Sequence, residues 1–487
     1  MATAARQAKP DVAAAEVQRA FDQLKSAYRM KPNPSYAERL DRLERLERLI
    51  IKAKEDFVSA ADADFGGRAR HETLTVEVML SLEAVRDAKR HLRKWLRPRR
   101  APTHPAYLGS KAYVEIMPRG VVGILSPWNY PVNLALAPLA AALAAGNRVL
   151  VKPSELTPRV SAAIARAVRD QFTAEEVAVV EGGPDVARAL TRLPLDHVFF
   201  TGSTRVGKEV ARAAAENLVP MTLELGGKCP VLVQADFPVA TAAERVATAK
   251  IFNSGQTCLA PDYILLPEGK QDVFVDAFKA CVKDGWPNLP HDPNYTALVT
   301  DAAFARQQAL LADATAKGAK AIAVAPGNDG RRLAPVLLLG VNDSMRVMQE
   351  EIFGPLLPVL GYRDLGEAEA QIEKNPRPLA LYVFDENEQR AKETMARIPS
   401  GGACINETMA HFAQDALPFG GIGASGMGAY HGKAGFLAFS HERGVLSANP
   451  LSPAKFIFGP MAPKVLDRAT DFLSTRVGSW VMDKLQK

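Results

Sequence analysis

Apolar positions at helical intervals fill the first hundred residues. Behind Ser35-Tyr36-Ala37-Glu38, which has the capping-box form, leucines recur every three residues through 39–50 between interleaved acids and bases. The serine hydroxyl and the glutamate can each satisfy a backbone N–H that the first turn leaves free, so a helix starts there. Its leucine stripe faces a core and its charges pair on the outer face, which makes it a packing element only. Residues 1–97 are expected to be helical throughout. From 101 to 116 the text changes to proline, tyrosine and valine, which suits a hairpin or an extended arm that connects two domains or pairs with another subunit.

At residue 121 the periodicity switches. Short apolar runs at 121–125, 148–151, 177–180, 197–201 and 221–225 read as strands, with helical segments between them. Asn133 suits a cap and Gly146 a stop for the helix 134–145, and Thr157-Pro158 gives the next helix a cap residue with proline at its first position. Five strands with helical crossovers predict a parallel sheet covered on both faces, of the dinucleotide-binding type, with ligands at the carboxyl ends of its strands. A second set at 230–233, 263–266, 336–339, 356–360, 379–384 and 403–406, with helices such as 270–283 and 386–398, predicts a second α/β domain. Residues 417–445 are glycine-rich and then strand-like. Beyond 451, Val465, Leu466, Ala469, Phe472, Leu473, Val477, Trp480, Val481 and Leu485 fall at helical spacings interrupted by charges, an amphipathic tail and no integral membrane span.

A length of 487 residues exceeds one compact core and predicts two or three domains. The excess of 60 basic over 54 acidic residues suits an anionic ligand such as a dinucleotide. One concentrated basic run, 89–100, follows a helical pattern and includes Leu92, Trp95 and Leu96. It reads as a helix C-terminus or a subunit contact, and no nucleic-acid partner is expected. Cysteines 229, 258, 281 and 404 have neither metal-ligand spacing nor the density of a disulfide framework, so no metal is expected and a reducing compartment is. With no apolar run of signal-peptide length, the expected setting is the cytoplasm.

The candidate chemistry lies in the turns. Asn253-Ser254-Gly255-Gln256-Thr257-Cys258 links a helix to a strand through small residues, where a thiol can be exposed as a nucleophile; an inert buried cysteine is the alternative. Thr201-Gly202-Ser203-Thr204-Arg205-Val206-Gly207 leads a strand into a helix whose free N–H groups can bind a pyrophosphate, with Gly202 and Gly207 allowing close approach. No G-x-G-x-x-G follows the first strand, which weakens a plain Rossmann reading. At another strand end, Lys152 and Glu155 suit the ribose hydroxyls of an adenosine, and the carboxylate would repel a 2′-phosphate. Glu224-Leu225-Gly226-Gly227-Lys228 puts a carboxylate at the seam between the two domains, as a functional group or as a salt-bridge partner.

The order of these motifs resembles the aldehyde dehydrogenase family over roughly residues 36–445. Glu-Leu-Gly-Gly-Lys is followed by Gly-Gln-Thr-Cys, and Pro127-Trp128-Asn129-Tyr130-Pro131, Glu351-Ile352-Phe353-Gly354-Pro355 and Leu417-Pro418-Phe419-Gly420-Gly421 match further family segments. The resemblance implies Cys258 as nucleophile, Glu224 as general base for hydrolysis of a thioester on Cys258, and Asn129 as oxyanion donor. It implies NAD, with NADP also admitted, held by Trp128, Lys152, Glu155, Gly202, Ser203, Gly207, Leu225, Gly226, Glu351 and Phe353. Residues 255–263 and 427–432 look like the class 3 branch, which includes bacterial coniferyl aldehyde dehydrogenases, acts on aromatic and medium- to long-chain aldehydes and is often a homodimer. Tyr130, Met409, His411 and Phe412 are candidate substrate-channel residues. The implied architecture is an α/β fold with a Rossmann-type cofactor domain over 1–97 and 117–224, a catalytic domain over 225–416, bridging and oligomerisation segments at 98–116 and 417–450, and the tail at 451–487. Two rival readings are a CoA-acylating dehydrogenase, against which Glu224 argues, and a non-catalytic protein that keeps the fold.

Overall fold

The computed structural model describes residues 10–104, 107, 109–449 and scattered positions between 468 and 484. Apart from such positions as Phe472 and Trp480, which are exposed, the expected tail helix lies outside the described residues.

The N-terminal helices form as the leucine spacing requires. Tyr36–Phe65 starts on Ser35 with both halves of the capping box present and ends on Gly66 in the left-handed conformation. Its leucines pack against the helices Leu80–Trp95 and Pro158–Gln171. The basic run 89–100 includes the last turn of Leu80–Trp95, where Arg93 and Lys94 lie at the negative end of the helix dipole, and then enters the strand Arg99–Ala101.

The five expected strands are Val121–Leu125, Arg148–Lys152, Val177–Val179, His197–Gly202 and Met221–Leu225, all parallel. A sixth, Gly426–Met427, adds antiparallel to Met221–Leu225, so a piece of the glycine-rich segment completes this sheet. Val121–Leu125 lies between Arg148–Lys152 and His197–Gly202. Chain progression therefore reverses between Val121–Leu125 and His197–Gly202, the switch point at which α/β sheets open a crevice.

Asn133 does not cap its helix. It is the first residue of Asn133–Ala145, and the buried Glu77 carboxylate accepts from the N–H groups of Val132 and Asn133 at 2.8 Å each. Gly146 stops that helix in the left-handed conformation, as expected.

The second sheet runs Lys320–Ala323, Val336–Leu339, Leu356–Tyr362, Tyr263–Pro267, Pro230–Val233, Ala380–Phe384 and Gly402–Ile405. Its Lys320–Ala323 edge is antiparallel and was not expected; that strand is mostly exposed and lacks the apolar density of the others. Gly226-Gly227-Lys228-Cys229 carries the chain directly from the first sheet to the second. The proline-rich arm is a hairpin, Arg99–Ala101 with Lys111–Pro118, extended by Ser440–Ser447 into a separate three-stranded antiparallel sheet.

Candidate active site

The turn that leads to Cys258 follows the helix Val239–Ile251. Asn253, Ser254 and Gly255 have φ of 49°, 52° and 70°, three consecutive left-handed residues that redirect the chain. Non-glycine residues hold such angles only where the surroundings over-determine them. Here Glu72 accepts from the Asn253 N–H at 2.9 Å and from the Thr296 hydroxyl at 2.6 Å, and the Ser254 hydroxyl donates to the Thr296 carbonyl. The Gln256 amide bonds the Asn253 and Ala297 carbonyls and accepts from the Val299 N–H. A methyl on Gly255 would collide with the Gly354 carbonyl, so only glycine lets this turn lie against the Glu351 loop. Burial pushes the Glu72 carboxyl up to about 7.

Asn129 follows the first strand of the six-stranded sheet. Arg68 Nη1 donates to the Asn129 carbonyl at 2.9 Å, as does Asn253 Nδ2 at 3.2 Å. The Asn129 side-chain amide donates to the Gln256 carbonyl at 3.2 Å, two residues before Cys258. Arg68 lies 3.4 Å from Glu77, both side chains fully buried, with its guanidinium over the Phe65 and Tyr130 rings. Arg68, Glu72 and Glu77 were not singled out from the sequence, where they sit in a stretch read as packing helix. Arg68 follows the Gly66-Gly67 turn, and Glu72 and Glu77 lie in the short helical segments after it, beyond the leucine repeat of 39–50, so no local pattern marked them.

The Glu351 loop hangs on a third buried network. Lys228 is ion-paired with Asp262 and donates to the Val347 carbonyl at 2.7 Å, while Asp262 accepts from the Ile352 N–H at 2.8 Å. Arg306 donates to the Glu351 and Ile352 carbonyls at 2.6 Å each. Phe353, at φ 51°, turns its ring edge-on to Trp128 with centroids 5.3 Å apart.

These loops enclose a cavity of about 590 Å³ at the switch point. Cys258, Glu224, Asn129, Trp128, Gly202, Ser203, Leu225, Gly226, Glu351 and Phe353 all line it. Three expected residues do not. Lys152 is ion-paired with Glu155 at 2.7 Å away from the lining, and Gly207 faces Leu225, whose side chain fills the space a Cβ would need. The close approach at Gly207 is thus between helix and strand. Ser203 caps the helix Thr204–Ala215, whose first turn opens on the cavity.

Both carboxyl oxygens of Glu224 are buried without a hydrogen-bond partner among the described residues, and burial raises its pKa well above the ordinary value. Burial also raises the Cys258 thiol, helped by the Glu351 and Glu224 carboxylates, while the N–H groups of Cys258 and Leu259 act in the opposite direction. Glu351 is pushed up to about 8 by burial and then by Asp262. Phe412, Phe419 and Tyr430 supply an aromatic wall. Of these, Phe419 and Tyr430 were missed as site residues although their segments were noted. Among the other channel candidates, Tyr130 is buried with its hydroxyl 2.6 Å from the Thr257 hydroxyl, His411 lies 3.1 Å from the Cys404 sulfur, and Met409 lines a separate cavity.

The sequence pattern of the aldehyde dehydrogenase family matches residues 4–445. The chain belongs to the aldehyde dehydrogenase family. As a member it is an NAD(P)-dependent oxidoreductase of aldehydes. It is 43% identical over 445 residues, 91% of this chain and 94% of the relative, to a probable coniferyl aldehyde dehydrogenase of Pseudomonas aeruginosa. It is 44% identical over 448 residues, 90% of this chain and 92% of the relative, to a coniferyl aldehyde dehydrogenase of a Pseudomonas species. Among solved structures it is similar to Staphylococcus aureus AldH in a substrate-bound state, at 36% identity and a TM-score of 0.89, covering 94% of this chain and 99% of that one. An indole-3-acetaldehyde dehydrogenase in complex with NAD+ matches at 29% identity and a TM-score of 0.82, covering 90% and 89%.

The aldehyde dehydrogenase cavity fits NAD(P)+ on its own residues. Glu351 Oε1 is a buried acceptor with no partner among the described residues, as a ribose hydroxyl requires, and Gly226, with no Cβ, lets that carboxyl group lie against its backbone. The helix start at Ser203 offers N–H groups to a pyrophosphate. Among the described residues no group of three or more His, Cys, Asp or Glu could hold a metal ion, and no helix is long and apolar enough to cross a membrane.

Proposed function

We propose that the chain oxidises an aromatic or medium- to long-chain aldehyde, of the coniferyl aldehyde kind, to the carboxylic acid through a thioester on Cys258. The observation that carries this reading is the convergence of Cys258, Glu224 and Asn129 on one cavity with an aromatic wall. Two relatives at 43% and 44% identity are a probable coniferyl aldehyde dehydrogenase and a coniferyl aldehyde dehydrogenase, and coniferyl aldehyde is a conjugated aromatic.

Cys258 gives up its proton to solvent and its sulfur attacks the carbonyl carbon, breaking the C=O π bond to leave the alkoxide of a thiohemiacetal. The Asn129 amide and the Cys258 N–H stabilise the oxygen as it gains charge. Trp128, Gly202, Ser203, Leu225, Gly226, Glu351 and Phe353 would hold NAD(P)+, with Lys152 and Glu155 at its adenosine end. Bound NAD(P)+ supplies the hydride acceptor that turns the thiohemiacetal into a thioester. Glu224 then takes a proton from the water that attacks the thioester, releasing the acid and restoring the thiol. A carboxylate without ion-pair partners suits this role better than that of a salt bridge, which also favours water over CoA as the acceptor.

The Glu155 carboxylate favours NAD over NADP. The same reading divides the chain into a cofactor-binding part, 1–97 and 117–224, and a catalytic part, 225–416. The exposed sheet of Arg99–Ala101, Lys111–Pro118 and Ser440–Ser447 supports a homodimer contact, and four free thiols support a cytoplasmic setting. Turnover of coniferaldehyde, benzaldehyde and straight-chain aldehydes with each cofactor tests the reading. The expected result is acid formation, best with a conjugated aromatic substrate and NAD+; equal inactivity of wild type and Cys258→Ala on the whole panel overturns it.

A further inference from the structure

The cavity over Cys258 has to receive two reactants at once. Its helix-start side, with Gly202 and Ser203, and its Glu351 side suit the cofactor, so the aldehyde's far end must extend past the aromatic wall at Phe412. A second cavity of about 160 Å³ is lined by Met409, three residues before Phe412, and by Phe252, six residues before Cys258. The two cavities share their elements. The one-turn 3-10 helix Ala410–Ala413 carries Phe412 on the first and is preceded by Met409 on the second. The helix Val239–Ile251 carries Arg245 on the second cavity and runs directly through Phe252 into the nucleophile turn.

This second cavity has an apolar part and one charged end. Phe252 and Met409 supply the first. At the other, Arg245 Nη1 and Glu407 Oε2 lie 3.4 Å apart, both side chains part-exposed. Glu407 is held from the backbone, since the Thr408 N–H donates to its Oε1 at 2.8 Å, and the Thr408 hydroxyl donates to the Arg245 carbonyl at 3.3 Å, which ties the two segments together. The segment is also conformationally fixed, since Asn406 and Met409 have φ of 57° and 58°. Phe252 and Met409 offer apolar surface to an aromatic ring, and Glu407 and Arg245 offer one acceptor and one donor to a hydroxyl on it.

We propose that Arg245 and Glu407 form a distal subsite that selects aromatic aldehydes bearing a phenolic hydroxyl opposite the aldehyde chain. The phenol O–H donates to the Glu407 carboxylate, and the phenol oxygen accepts from the Arg245 guanidinium. A neutral alkyl tail would leave both charges without this partner. The proposal rests on the reading of the chain as an oxidant of aromatic aldehydes, and it adds which aromatic aldehydes and by which residues.

The test is the ratio of kcat/KM for 4-hydroxycinnamaldehyde to that for cinnamaldehyde, measured at saturating NAD+ in the wild type, Arg245→Leu, Glu407→Leu and Arg245→Lys. A hydrogen bond to a charged group predicts a wild-type ratio of about ten or more, falling to about one in both leucine variants and partly restored by lysine. Cinnamaldehyde turnover in each variant shows that it is folded. A wild-type ratio near one with good cinnamaldehyde turnover, or a high ratio that both leucine variants keep, overturns the distal subsite and leaves the proposed activity standing. Failure of the wild type to oxidise either aldehyde removes the activity and the subsite together.

Discussion

Arg68→Met removes a guanidinium that touches no reactant and yet holds the oxyanion residue by its backbone. The arginine donates to the Asn129 carbonyl at 2.9 Å and faces Glu77 at 3.4 Å in a site closed to solvent. Losing a charge-assisted hydrogen bond costs about 1.5–3 kcal/mol, and leaving a buried partner unpaired brings the total to about 3–5 kcal/mol. Glu77 keeps its two backbone donors, Val132 and Asn133, and can take up a proton, so the lower half of that range is expected. The catalytic loss has a separate origin. An Asn129 carbonyl no longer held by Arg68 lets the amide drift, and displacement of an oxyanion donor by about 1 Å costs up to about 100-fold in kcat. Thermal unfolding and steady-state kinetics on Arg68→Met and on Arg68→Met/Glu77→Gln separate the two effects. The double variant has no buried charge and still offers an acceptor to the helix start, so it should recover most of the melting temperature while kcat stays low. A single variant with kcat within about twofold of wild type, or a double variant that recovers kcat along with stability, would refute the argument.

Gly226→Ala drives a methyl into the Glu351 carboxylate, and KM for NAD+ should rise about tenfold or more, the worth of one hydrogen bond to a charged group, with a smaller change in KM for aldehyde. Gly255→Ala meets the Gly354 backbone at a left-handed position, so both kcat and melting temperature should fall, and neither should recover when a larger aldehyde is supplied. The raised Cys258 thiol sets a pH profile: less thiolate is present near neutrality than in a free cysteine, so alkylation by iodoacetamide in the absence of cofactor should be slow there and climb about tenfold per pH unit to beyond about pH 9. Glu351→Gln removes one of the charges that hold the thiol up, so it should speed alkylation above about pH 8, where the Glu351 carboxyl is ionised, and change it little at neutral pH.

What was legible in the sequence was what is local. The strand at 221–225, the turn at 253–258 and the helix start at Ser203 are each written in consecutive residues, and their order along the chain carried the family resemblance. The supports of the site are written far apart. Glu72 reaches Asn253 across 181 positions and Arg68 reaches Asn129 across 61, so no window of sequence contains either bond. A reading of residues 1–97 as continuous packing helix hides three ionisable residues that the core accepts only because each is paired or hydrogen-bonded. The packing of Gly207 on Leu225 was not legible for a related reason. A glycine at a helix start suits a pyrophosphate or a neighbouring strand equally well, and only the Leu225 side chain against it distinguishes the two.

A thioester on Cys258 that Glu224 helps to hydrolyse should accumulate once that carboxylate is removed. Acid-quenching Glu224→Gln after mixing with NAD+ and coniferaldehyde, followed by intact-mass and peptide analysis, tests it most directly. The account predicts NADH formation limited to about one turnover and an acyl adduct on the peptide containing Cys258, absent from Cys258→Ala. Wild-type turnover in Glu224→Gln with no adduct, or an adduct on any residue other than Cys258, would contradict it.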